Sequence, residues 1–125
     1  MKILFGIMIA TLIAAESPRQ VLLFYTDSGL TKQKSQMAIL DAHQKDMIER
    51  DINVHKFPFS GKNLSAWKKW DIDSASSFTF ILVGRDGGEK FRSSDVVSAE
   101  KLFGLIDAMP MRKSEVKRSR GNNPK

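Results

Sequence analysis

His43 and His55 are the residues best placed by type to act as acids, bases or metal ligands near neutral pH. They lack the i, i+4 spacing that sets two imidazoles on one helix face, so the neighbouring Asp41, Asp46 and Asp51 complete no metal motif. Structural or surface roles are expected for both, and no metal or cofactor is assigned. The 125 residues contain no cysteine. That excludes disulfides, Cys-ligated zinc, iron–sulfur clusters and every thiol-based mechanism, each of which needs a sulfur in the chain. No Ser-His-Asp set, standard phosphate loop or distinctive carboxylate pair occurs, so no catalytic residue is named.

Two groups of residues remain as ligand-binding candidates. Asp27, Ser28, Thr31 and Lys32 surround the expected start of a helix, where unpaired amides and the positive dipole end favour an anion. Asp27 could instead occupy that helix cap itself. Arg85, Lys90 and Arg92 could join Lys68 and Lys69 in a basic patch that grips a phosphate or carboxylate. The alternative is a cationic edge strand that discourages sheet-to-sheet association.

The elements that must position these residues follow from the apolar pattern. Gln20 to Tyr25 is a continuous apolar run, as in a strand buried on both faces. Asp27, Ser28 and Gly29 supply turn chemistry, and a helix is expected from about Thr31 to Arg50, with Met37, Leu40, Gln44, Met47 and Ile48 on its inner face. Ile52 to Phe57 is a second strand, and a helix of that length between them implies a parallel right-handed crossover. Asn63 to Trp70 reads as a short helix anchored by Leu64, Trp67 and Trp70. Ser77 to Gly84 is the strongest strand pattern. Asp86-Gly87 accommodates the positive φ of a tight turn, so Glu89 to Arg92 returns antiparallel as an edge strand. Ser98 caps a last helix carrying Leu102, Phe103, Ile106 and Met109, which Pro110 halts. The expected fold class is α/β and thioredoxin-like: a four-stranded mixed sheet, βαβ then β-hairpin and helix, flanked by helices.

Met1-Lys2, the apolar run Ile3 to Ala15 and the small pair Ala14-Ala15 read as a signal peptide, residues 1–15, cleaved near Ala15. An apolar helix of about 13 residues covers about 20 Å, short of the roughly 30 Å bilayer core. Export to the periplasm or beyond is the expected localisation, with no transmembrane span after cleavage. The 20 basic and 14 acidic residues are unevenly placed. Residues 112–125 hold six basic side chains and one acid, which leaves the domain expected at 16–111 balanced at 13 of each. The last segment is read as a basic, flexible tail or frayed helix end. Anionic envelope polymers or lipid headgroups are its candidate partners, and export argues against nucleic acid.

The run Phe78 to Arg92 (FTFILVGRDGGEKFR) followed by Leu102 to Lys113 (LFGLIDAMPMRK) resembles the bacterial family called domain of unknown function 4174. The resemblance spans about Arg19 to Lys113 and is most specific at Ile106 to Arg112, with the Arg85 to Gly88 hairpin a weaker match. It implies a thioredoxin-like, exported protein related to modules of animal extracellular sushi-repeat proteins, with no established reaction. Asp86, Gly87, Asp107, Pro110 and Arg112 are the structural positions of the motif, and an Asp107–Arg112 contact is expected to fix the chain's exit from the domain. Where redox thioredoxins place Cys-x-x-Cys, this chain has Thr26-Asp27-Ser28-Gly29-Leu30; where they place a proline before the third strand, it has Ser76-Ser77. The expected function is a non-redox binding or interaction module. The alternatives are an enzyme with an unusual site at the Asp27-Ser28 loop, or attachment to anionic surfaces through the tail.

Overall fold

The computed structural model describes residues 17–121, with side chains through Arg118. The expected signal and its cleavage point lie outside the described residues. Four strands form one mixed sheet in the order β2-β1-β3-β4: β1 (Arg19–Tyr25), β2 (Ile52–Pro58), β3 (Phe78–Val83) and β4 (Glu89–Ser93). β1 pairs parallel with β2 and antiparallel with β3, and β4 closes the other edge antiparallel to β3. Among the described residues there are five α-helices: α1 (Leu30–Ala42), α2 (Gln44–Glu49), α3 (Leu64–Lys69), α4 (Ala99–Asp107) and α5 (Pro110–Gly121).

The continuous apolar runs are explained by burial on both faces of the sheet. Val21 and Leu23 of β1 with Phe78, Phe80 and Leu82 of β3 pack on Leu40, Met47, Leu102 and Ile106 of α1, α2 and α4. Leu22, Phe24, Ile81 and Val83 face the other way, onto Trp67 of α3. Phe24 stacks on Phe57 at 4.9 Å and meets the Trp67 ring edge-on at 5.6 Å, while Trp67 Nε1 donates to Phe57 O at 3.1 Å, satisfying its one polar atom.

The single long helix expected from Thr31 to Arg50 is two helices. The chain breaks at His43 (φ −123°, ψ 36°), whose Nδ1 lies 2.8 Å from Ile39 O. The break re-phases the second helix, so Gln44 is exposed and Ile48 is 73% exposed rather than facing the core. Gln33 and Gln36 are buried instead. The Gln36 amide donates to Val97 O at 2.9 Å and accepts from Val97 N at 2.7 Å, tying α1 to the segment before α4 as a backbone pair would. Leu64, expected to anchor α3, is exposed. Asp51 and Asp71 come after α2 and α3 with φ of 54° and 53°, a left-handed cap that Asp tolerates better than most residues.

Ser98 caps α4 through a bond from Lys101 N at 3.1 Å. Pro110, expected only to stop that helix, opens the next. Its fixed φ and missing N–H suit a first helical position, and two residues, Ala108 and Met109, separate α4 from α5. The boundary expected after Met111 therefore falls inside a helix, and Arg112, expected to begin a flexible tail, is buried.

Gly29 closes the loop after β1 against the residues before β3. Thr26 N donates to Ser77 O at 2.9 Å, and a Cβ at Gly29 would lie 1.8 Å from that same oxygen. Gly29→Ala should accordingly cost about 3 kcal/mol, because the obstacle is backbone. Gly104, inside α4 with open space around it, should gain about 1 kcal/mol on substitution by Ala. Chemical denaturation of the two variants checks the opposite signs.

Candidate functional site

The candidate residues divide between the two ends of the sheet. β1 spans seven residues, roughly 20 Å at about 3.3 Å per residue, with a depression at its C-terminal end and a cavity at its start. Asp27 and Ser28 line the depression with Thr26 and Phe59, and Ser28 Oγ lies 3.1 Å from Thr26 Oγ1. Asp27 caps no helix: α1 begins after Gly29 without a side-chain cap. Thr31 is exposed, and Lys32 Nζ is held by Asp95 Oδ1 at 2.8 Å and Ser94 O at 3.1 Å. Neither lines the depression, so the four residues do not form one anion site.

The basic candidates also separate. Arg92 bonds Glu89 through Nε and Nη2 at 2.9 and 2.8 Å, and Nη2 donates to Trp70 O at 2.7 Å. Lys69 stands over the Trp70 ring at 5.6 Å. Arg92 therefore reaches the end of the helix that carries Lys68 and Lys69, with Glu89 paired to it, and stands apart from Arg85 and Lys90. Arg85 and Lys90 come together at the base of the sheet, around a cavity of about 330 Å³ lined also by Arg19, Asp86 and Met109 to Met111.

Its walls are built from the hairpin and the α4–α5 elbow. Gly87 takes a φ of 83°, and Asp86 ties the turn down: Oδ1 accepts from Gly88 N and Oδ2 from Lys90 Nζ, both at 3.0 Å. Those two bonds, the backbone one foremost, hold the Asp86 carboxyl below its usual range. The Lys90 stem crosses Gly84, where an added Cβ would come within 2.5 Å of Lys90 Cε.

Behind the cavity lies a network of guanidinium–carboxylate pairs. Arg19, 1% exposed, donates from Nη1 to Arg50 O at 2.8 Å and from Nη2 to Glu115 Oε2 at 3.1 Å. Arg85 Nε donates to the same Glu115 oxygen at 2.8 Å, and its Nη1 to Asp51 Oδ2 at 2.8 Å. Arg112 Nη2 bonds Glu49 Oε2 at 3.0 Å, and its Nε lies 3.4 Å from Asp107 Oδ1. Asp107 is gripped more closely by Arg50, bidentately, at 3.0 Å on each side. The Arg50 bond is the main reason the Asp107 carboxyl titrates below its ordinary value. Burial alone would raise Glu115, but the bonds from Arg85 and Arg19 outweigh it and hold the carboxyl down. Burial pulls Arg85 down in turn, and its bonds to Asp51 and Glu115 more than reverse that.

Sequence reasoning singles out none of Arg19, Arg50 and Glu115. One signal was available: Glu115 is the single acid among six basic residues of the last segment, and a lone carboxylate so placed invites a buried partner. Among the described residues no group of His, Cys, Asp or Glu could hold a metal ion. His55 is exposed on β2, and His43 meets the Phe103 ring edge-on at 6.0 Å.

The sequence pattern of domain of unknown function 4174 matches residues 14–115, which takes in both strands around the cavity, the elbow and Glu115. The chain belongs to this family. Its fold is thioredoxin-like, as solved structures show. It superimposes on thioredoxin-2, described as a component of malaria parasite protein secretion machinery, with a TM-score of 0.57 and 25% identity over 74% of this chain and 84% of that one. Trxlp from Edwardsiella tarda EIB202 gives 0.52 and 25% over 78% and 90%. Thioredoxin f2 of Chlamydomonas reinhardtii, at 18% identity and 0.52 over 74% and 79%, shares the fold. No protein of curated description matches this member of the family. Without cysteine, it has no atoms for thioredoxin-type dithiol exchange.

Glu115→Gln keeps the shape of the side chain but leaves Arg19 buried without its counter-charge, and should cost about 3 kcal/mol. The pH dependence carries the same signature. A carboxyl held below its usual 4.5 contributes stability above that pH and loses it as the pH falls through the lowered value. Denaturation midpoints measured at falling pH should therefore drop below about pH 4.5 in the native protein, and the Gln variant should show a shallower fall.

Proposed function

We propose that this protein is an exported, non-redox binding module whose ligand site is the cavity at the base of the sheet. The observation that carries the reading is the meeting there of Arg85, Lys90 and the Met109 to Met111 elbow around one half-open cavity of ligand size. At the other end of the sheet, where thioredoxins keep their sulfurs, the depression beside Thr26, Asp27, Ser28 and Phe59 is shallower and more open. Export rests on the charged start, apolar run and small residues of residues 1–15.

The reading makes a spatial prediction. In a small-molecule screen followed by methionine-methyl NMR, binders should move the Met109 and Met111 signals and leave Met37 and Met47, which line no part of the cavity, in place. Binders that instead perturb Thr26 to Ser28 would transfer the site to the opposite end and overturn the assignment.

A second reading, attachment to an anionic membrane surface, is favoured by the way α5 sorts its charges. Glu115 and Arg112 are engaged inward, while Lys113, Lys117 and Arg118 are exposed. The one acid of the segment is thereby removed from the outward face. Each basic side chain near such a surface contributes about 1 kcal/mol, screened by salt. Lys113→Glu with Lys117→Glu spares the inward pairs, and should abolish salt-sensitive adhesion to phosphatidylglycerol vesicles in a flotation assay. Adhesion that persists unchanged would remove this reading.

A further inference from the structure

From the chemistry of its walls we infer that the base cavity takes a small amphipathic anion, a monoanionic headgroup such as a carboxylate joined to a short apolar chain. This rests on the reading of that cavity as the ligand site, and adds the class of molecule it accepts. Three features select the class. The first is size: about 330 Å³ holds roughly ten water-sized groups of about 30 Å³ each, which suits a short chain and excludes a nucleotide or a folded peptide.

The second is the division of the wall. Met109, Pro110 and Met111 form an apolar side, with Met111 46% exposed at the rim. A surface of this kind gains by covering an alkyl or aryl group. Gly84 contributes no side chain to the floor, and the hydrocarbon stem of Lys90 lies across it, extending the apolar surface up to a charged end.

The third is the balance of hydrogen-bonding groups. Arg19, Arg85 and Lys90 all line the cavity, against one acid, Asp86. Both Asp86 oxygens are already accepting, from Gly88 N and Lys90 Nζ. Arg85 spends Nε and Nη1 on Glu115, Asp51 and Ser17 O, while Lys90 spends one bond on Asp86 and keeps further donors on a rotatable ammonium. Donors outnumber acceptors in this lining, and its one carboxylate is already engaged by two of them, so an incoming oxygen anion meets more uncommitted partners than an ammonium does. Arg19 stays a fixed charge in the wall: it is closed to solvent and shares Glu115 with Arg85.

Octanoate, octanol and octylamine separate the terms. In titrations of the purified protein followed by methionine-methyl NMR, octanoate should shift Met109 and Met111 with an affinity roughly tenfold or more above that of octanol, and octylamine should bind no more tightly than octanol. Lys90→Met keeps the apolar stem and removes the charge. It should weaken octanoate by a similar factor and leave octanol unchanged, with an unaltered thermal midpoint confirming the fold. Should octanol bind the methionine side as tightly as octanoate, or Lys90→Met leave octanoate unaffected, the cavity would stand as a ligand site and the anionic class would fall. No shift at Met109 or Met111 with any of the three probes would overturn the class and the site together.

Discussion

One carboxylate held between two guanidiniums governs the lower half of this molecule. Arg19 opens β1 and is shut away from water. A buried cation is tolerated only where an anion and hydrogen-bond acceptors meet it, and Glu115 reaches it from a helix 96 residues further along the chain. The same carboxylate accepts from Arg85, in the turn that follows β3. The start of one central strand and the end of its neighbour are thus fastened to α5 at a single point. Such a pair adds little net stability over an apolar substitute, but loss of either partner is costly. Its contribution is to fix the position of the helix.

That position creates the cavity. With α5 clasped at Glu115, and again at Arg112 through Glu49, the elbow from Met109 to Met111 lines the cavity opposite Gly84 to Asp86 and Lys90, and Met109 also packs against the core. Lys90 folds over Gly84 on the facing side. The distinctive run Ile106 to Arg112 owes its specificity to this geometry. Ile106 is core, Asp107 receives Arg50, Pro110 opens the helix and Arg112 turns back to Glu49. None of these residues is chemically unusual, and the order is constrained because each must face a different element within two turns of chain.

Legibility in the sequence tracks the range of the interaction involved. The Asp86-Gly87 turn and the Ser98 cap rest on contacts between near neighbours, and each strand declares itself by a local apolar run although its pairing is long-range, so period and turn chemistry report them directly. The break at His43 was hidden because Met47 keeps the helical spacing from Leu40 across it, so the pattern reads as continuous although Gln44 and Ile48 turn outward. Gln36 gave no apolar signal at all, since it is buried by its two bonds to Val97. The grouping of the candidate cations is not readable from the sequence. Arg92 and Lys90 are two apart on one strand, yet one reaches the end of α3 and the other the base of the sheet.

The charge of the last segment illustrates the same limit from the other direction. Counted along the chain, Arg112 and Glu115 look like two members of a solvated basic tail. Folded, they are its two inward residues, and they cancel one another while binding opposite partners. Among the other described charges of the segment, Lys113, Lys117 and Arg118 face water, so folding leaves their net charge unchanged and alters only which side of the helix displays it. A helix held inward by an acid and a base can present an all-basic face without like-charge repulsion being its only local electrostatic term. The clasp that shapes the cavity is therefore also what orients the charge, and any change at Glu115 acts on both ends of α5's chemistry at once.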